Sequence, residues 1–164
     1  MRLRGRAAAL LAALAFCAAG PADALAADLT VVGADGAAHT LVQADLDALP
    51  AETLDVSFKG EHGTMAARFA GPLLWTVLIR SGAIDPAPRL HVRMTVVTTG
   101  ADGYAAVLAL GEIDPEFEGK KVLLATAQDG KPVGGTGIRQ VVPGDARGGR
   151  SVRDVVRIAV ETRP

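Results

Sequence analysis

Glycine and proline punctuation constrains this chain more than any other feature of its sequence. Turn signals stand at Gly33-Ala34-Asp35-Gly36, Pro50, Gly82, Gly100-Ala101-Asp102-Gly103, Pro115, Gln128-Asp129-Gly130-Lys131 and Pro143-Gly144. Glycine supplies positive φ and proline removes a backbone donor, so long helices and long unbroken strands do not fit between these points. Short hydrophobic runs remain. Leu29–Val32 and residues 39–42 flank an Asp-Gly turn and predict a β-hairpin. Residues 53–58 set Leu54, Val56 and Phe58 against polar neighbours, the period-two pattern of a half-buried strand.

Further strands are expected over 90–98 and 104–110, which form a second hairpin through the 100–103 turn, and over 121–127, 139–142 and 152–160. Residues 45–49 allow a helical turn or two before Pro50, and 112–117, with Pro115, a turn or short helical piece. One good helix is predicted, opening at Pro72 and closing on Arg80 and Gly82, a basic last turn followed by a glycine stop. The sum, about seven strands and one good helix, is an α+β chain in which strands dominate.

Ahead of this body the chain reads as a leader. Arg2, Arg4 and Arg6 precede an uncharged run over 7–19, then Gly20-Pro21 and the small residues of Ala24-Leu25-Ala26. That order of basic, apolar and small residues predicts a secretory signal over 1–26, cleaved after Ala26, with residues 27–164 as the mature body. A periplasmic or secreted location follows, with no membrane span after cleavage. The arginines alternate with Leu and Gly instead of pairing, which suits export of an unfolded chain that carries no pre-loaded cofactor.

Cys17 is the sole cysteine and lies inside the apolar run, so the mature body is expected to have no disulfide, thiolate nucleophile or sulfur metal ligand. Seventeen Lys and Arg nearly balance eighteen Asp and Glu, which gives no electrostatic reason for binding nucleic acid. Aromatic residues make up 4% of the chain, too few for a base-stacking platform. Nucleophile elbows, Walker loops and dinucleotide glycine patterns are absent from the sequence.

Three pieces of the body occur in a telling order. They are Phe69-Ala70-Gly71-Pro72-Leu73-Leu74-Trp75-Thr76-Val77-Leu78, then Val122-Leu123-Leu124-Ala125 with Asp129-Gly130-Lys131-Pro132, then Val141-Val142-Pro143-Gly144 running on through Gly149-Arg150-Ser151-Val152-Arg153. In order and spacing they resemble the oxidoreductase molybdopterin-binding domain of the sulfite-oxidase family. The resemblance implies a sulfite-oxidase-type fold with mixed sheets and few short helices. It also implies a molybdenum-ligating cysteine at the end of the strand that precedes Gly71. Lys59 or Gly60 stands at that place, and neither can ligate a metal as a thiolate does.

The same resemblance implies basic residues near the end of the domain that grip the pterin phosphate. Arg147, Arg150 and Arg153 occupy that glycine-rich segment, and arginine's planar fork suits phosphate oxygens. His62, in the loop after Lys59-Gly60, is placed by the resemblance at the mouth of the cofactor site. These four are the candidate cofactor-binding residues. Tyr104 is expected close to the same mouth, in an Asp102-Gly103 turn that reads as structural. His39 and His91 fall at strand edges in unrelated segments, which favours exposed histidines without a structural role. No catalytic residue and no metal ligand is singled out. The expected function is an exported, non-catalytic module that binds a small anionic ligand or a redox or signalling protein partner. The alternative is a molybdopterin-dependent oxidoreductase, or a subunit of one, that holds molybdopterin without a cysteine ligand.

Overall fold

A computed structural model describes residues 28–60, 63–85 and 90–163. The leader over 1–26 and His62 lie outside the described residues. In chain order the elements are β1 (Leu29–Val32), β2 (Ala38–Leu41), α1 (Gln43–Asp47), β3 (Ala51–Gly60), β4 (Gly63–Pro72) and α2 (Leu74–Arg80). They continue with β5 (Met94–Gly100), β6 (Ala105–Ala109), α3 (Leu110–Ile113), β7 (Leu123–Ala125), β8 (Ala127–Gln128), β9 (Lys131–Pro132), β10 (Arg139–Val141) and β11 (Val155–Thr162). Short 3-10 turns cover His91–Arg93 and Gly148–Arg150. The chain is therefore α+β with strands dominating.

The strands form a five-stranded sheet in the order β2-β1-β11-β5-β6, a four-stranded sheet β3-β4-β8-β9 and a two-stranded ladder β10-β7. β1 pairs with β11 in parallel, and the other named pairs are antiparallel, so the large sheet is mixed. Both predicted hairpins are present: β1 with β2 and β5 with β6. The Gln128 to Lys131 turn joins β8 to β9.

Two cores lie on opposite sides of the β7-β10 ladder. The larger packs Leu29, Val31, Val96, Leu108 and Ile158 of the five-stranded sheet against Leu74, Val77 and Leu78 of α2. The smaller gathers Val56, Phe58, Phe69, Leu123, Ala125 and Val141. Leu124 belongs to the larger core while its neighbours Leu123 and Ala125 belong to the smaller. Alternation along β7 thus buries both faces of the strand, and its continuous apolar sequence is the consequence.

Three expectations are corrected. The helix opens at Leu74 rather than Pro72, because Phe69 to Pro72 still pair with β3 and Leu73 turns the corner in an extended conformation, φ −67° and ψ 139°. β4 as a whole was not expected: Gly63, Ala66 and Ala67 have little strand preference, and pairing with β3 along its full length supplies the order. Gly71 is required there, since a Cβ would run into the Leu124 carbonyl of β7. Finally, the strand predicted from residue 90 begins at Met94, after the His91–Arg93 turn has carried His91 inward.

His91 is consequently buried, 2% exposed, and not a surface histidine. Its Nδ1 lies 2.6 Å from Asp114 Oδ2 and its Nε2 2.9 Å from the Asp85 carbonyl, while Trp75 meets the ring edge to face. Both ring nitrogens thus have a hydrogen-bond partner, with the donor and acceptor roles set by where the protons sit. Asp114, also buried, accepts the Glu116 N–H with its other oxygen. Removing one partner strands the other in the interior. Asp114→Ala is expected to lower stability by about 3–5 kcal/mol, measured as a shifted urea midpoint; a loss under about 1 kcal/mol would mean that the pair behaves like a surface contact.

Candidate functional site

Where β3 ends, the chain segment after Pro143 folds over it. Lys59 N–H donates to the Ala146 carbonyl at 3.0 Å, and Lys59 bridges Arg147 in parallel, so this segment extends the β3 edge by a residue. Gly148 lies directly over the Phe58 ring, where a Cβ would collide with the ring carbons, so only glycine permits the crossing. Beneath the crossing is a cavity of about 340 Å³ lined by Phe58, Lys59, Gly60, Arg139, Arg147, Gly148, Gly149, Ser151 and Arg153. Four of those nine side chains are cationic and none is acidic.

Arg139 carries the strongest signature. Strand parity on β10 points it to the same side as Val141, opposite Ala125, toward the smaller core. Its guanidinium carbon lies 5.3 Å from the Phe69 ring centroid and 5.9 Å from that of Phe58, within cation–π range. Nε is buried without a hydrogen-bond partner. Burial, followed by the charge of Arg153, pulls the Arg139 pKa below the usual arginine value, with Asp154 opposing. The group stays protonated nonetheless. Here a cation gives up water without gaining a carboxylate, and an anion in the cavity would compensate it.

Arg139 and Arg153 also line a second cavity, of about 600 Å³, with Gln128, Asp129, Lys131 and Asp154 on its walls. The two arginines therefore stand between a chamber whose charged walls, among the described residues, are all cationic and one of mixed charge.

Of the residues singled out from sequence, Arg147 and Arg153 come together on the cationic cavity and Arg150 does not. Arg150 makes a forked pair with Asp145, at 2.6 and 3.0 Å, and a third bond to Glu112 at 2.9 Å. Hydrogen bonds to Asp145 and then to Glu112 raise its pKa, with burial opposing. At Glu112 burial opposes ionisation, but bonds from Arg150 and the Ala109 N–H outweigh it and hold the carboxyl below its ordinary value. Arg150 thus clamps the loop through two carboxylates. The Tyr104 hydroxyl donates to the Gly149 carbonyl at 2.6 Å, and the Gln140 amide donates to the Arg150 carbonyl at 2.8 Å. The cavity rim is therefore held before any ligand arrives. Tyr104 does stand beside the mouth, in the Asx turn set by Asp102.

Sequence reasoning missed Arg139 as a site residue. Its signal was an arginine inside the apolar run Ile138 to Val142 with no acidic neighbour in that run, a costly placement unless a partner is supplied. Among the described residues no three His, Cys, Asp or Glu side chains converge as a metal site would require.

No family model matches this chain, and no curated protein matches it in sequence. In three dimensions it is similar to a chain of the sulfane dehydrogenase SoxCD from Paracoccus pantotrophus, with a TM-score of 0.68 and 17% identity over 84% of this chain. The match covers 38% of that chain, so this protein spans well under half its length. What the two share is the fold.

Because Arg139 is desolvated without a partner, Arg139→Met, which keeps the stem and drops the charge, is expected to stabilise the ligand-free protein by about 1 kcal/mol. Urea denaturation reads it; a clear loss of stability would show that the guanidinium is satisfied in the free protein.

Proposed function

We propose that this protein is an exported, non-catalytic module that keeps a sulfite-oxidase-type molybdopterin-binding fold and uses its cationic cavity to hold a small anionic ligand bearing a phosphate or similar oxyanion. The observation that carries the reading is the chamber of Lys59, Arg139, Arg147 and Arg153, which among the described residues has four cations and no acidic side chain on its walls. The chamber opens at the end of β3, where the family resemblance implies the metal-binding cysteine and where this chain has Lys59-Gly60. An ammonium and a glycine do not fit molybdenum, which needs a soft thiolate at this position. The arginines do fit a phosphate.

Binding follows from the parts. Arg147 and Arg153 present planar forks to oxyanion oxygens. Arg139, seated over the Phe58 and Phe69 rings, adds a further positive charge to the cavity wall. The clamp on Arg150 keeps the loop in position, so little ordering entropy is lost on binding.

A second reading, a molybdopterin-dependent oxidoreductase or subunit, draws on the same phosphate-compatible cations. Metal and pterin content of the protein purified from the periplasm separates the two: one molybdenum per chain would sink the binding-module reading. For the binding itself, calorimetric titration of the full chain with inorganic pyrophosphate is expected to show saturable binding. That binding should weaken about tenfold or more in Arg153→Glu and stay unchanged in Arg80→Glu, on an exposed helix end. Equal binding by all three proteins would refute the assignment.

The pH dependence has a defined sign. Arginines keep their charge, so pH acts through the ligand, whose second phosphate proton leaves near pH ~6. A phosphate monoester should therefore bind more tightly above about pH 7 than below about pH 5. Tighter binding on the acid side would point to a group on the protein instead.

A further inference from the structure

The outward face of the five-stranded sheet has a composition that its position in a monomer does not explain. Register places its side chains in three rows across the strands. The middle row is Ala38, Val32, Ala159, Val97 and Val107, apolar from edge to edge. On one side of it Arg157 of β11 lies in line with Thr99 of β5 and Ala105 of β6. On the other side Glu161 lies in line with Thr95 and Ala109. Alternate residues of the same strands, such as Val31, Val96, Leu108 and Ile158, point into the larger core, where α2 packs. The outward residues are half-buried or exposed, and Val107 is 50% exposed.

The rows are self-complementary. A two-fold axis lying along the middle row turns a second copy face down, with each strand over its own equivalent running the other way. Every middle-row residue then meets itself, Thr99 meets Thr95 of the other copy, and Ala105 meets Ala109. Arg157 meets Glu161, and by symmetry Glu161 meets Arg157. Opposite charges thus face each other twice, and the apolar row closes on itself. Antiparallel stacking of this kind is the aligned packing of two sheets about 10 Å apart, a distance that Ala, Val and Thr side chains fill. A two-fold contact of one patch with its own copy is also the commonest form of oligomer.

We infer that this face is the interface of a homodimer formed by sheet-on-sheet packing, with Arg157 and Glu161 fixing its register. Glu161 is already oriented by Arg163, at 3.0 Å, and remains 46% exposed, so it is open to a second arginine.

Charge exchange tests the register. In sedimentation equilibrium on the full chain, the wild type is expected to dimerise. Arg157→Glu and Glu161→Arg should each weaken the dimer on the order of tenfold or more, because each sets two like-charge contacts across the interface. The double exchange should restore it. Val107→Glu, in the apolar row and exposed in the monomer, should abolish dimerisation while circular dichroism stays native. A monomeric wild type would overturn the inference, whether the face is bare or covered by the N-terminal segment or another protein. A dimer unaffected by Val107→Glu, or a double exchange that fails to restore what the single ones lost, would also overturn it.

Discussion

The β7-β10 ladder, buried on both faces, is the constraint on which the rest of this structure depends. It is a wall between two cores, and the residues on it are sorted by parity alone. Leu123, Ala125 and Val141 serve the smaller core and Leu124 the larger. Gln140, on the larger-core side, is fully buried and bonded through its carbonyl oxygen, its amide nitrogen and its backbone. It accepts from Thr98 of the five-stranded sheet at 2.6 Å and donates to the Arg150 carbonyl at 2.8 Å, while its backbone N–H donates to Val152. One amide ties the large sheet, the wall and the arginine loop together. A buried amide is tolerable only when its bonds are made, so register between these three parts is tightly specified.

The same parity sends Arg139 to the other side of the wall. There it is pressed against Phe58 and Phe69 without an anion, while Arg150, a short distance along the chain, is enclosed by Asp145 and Glu112. Both are arginines in glycine-flanked or apolar context, yet one is bonded to two carboxylates and the other, among the described residues, to none. A partly desolvated cation with no bonded carboxylate is costly to bury, and that asymmetry is what supports the binding role proposed for the cavity.

Much of the fold was legible locally. Asp-Gly and Gly-x-x-Gly turns located the hairpins, because positive φ is a property of a residue pair and needs no tertiary information. The run from Val122 to Ala125 was recognisable as a strand from its continuous apolar sequence. β4 was not, since Gly63, Ala66 and Ala67 acquire strand geometry only by pairing with β3. Nor was the burial of His91, which depends on Asp114 being brought to it across more than twenty residues of chain. At the site, Arg147 and Arg153 could be named from a glycine-rich segment, but nothing local distinguished them from Arg150.

The sequence by itself thus determined the α+β class, the turn positions and the absence of a thiolate at the end of β3. Each of these is fixed by the chemistry of one residue or one adjacent pair. Tertiary structure alone decided which arginines line the cavity and which one clamps the loop, because charge compensation depends on what lies across a cavity rather than along the chain. It alone also made a self-complementary face out of unremarkable alternating strands, since the rows exist only once five strands are in register.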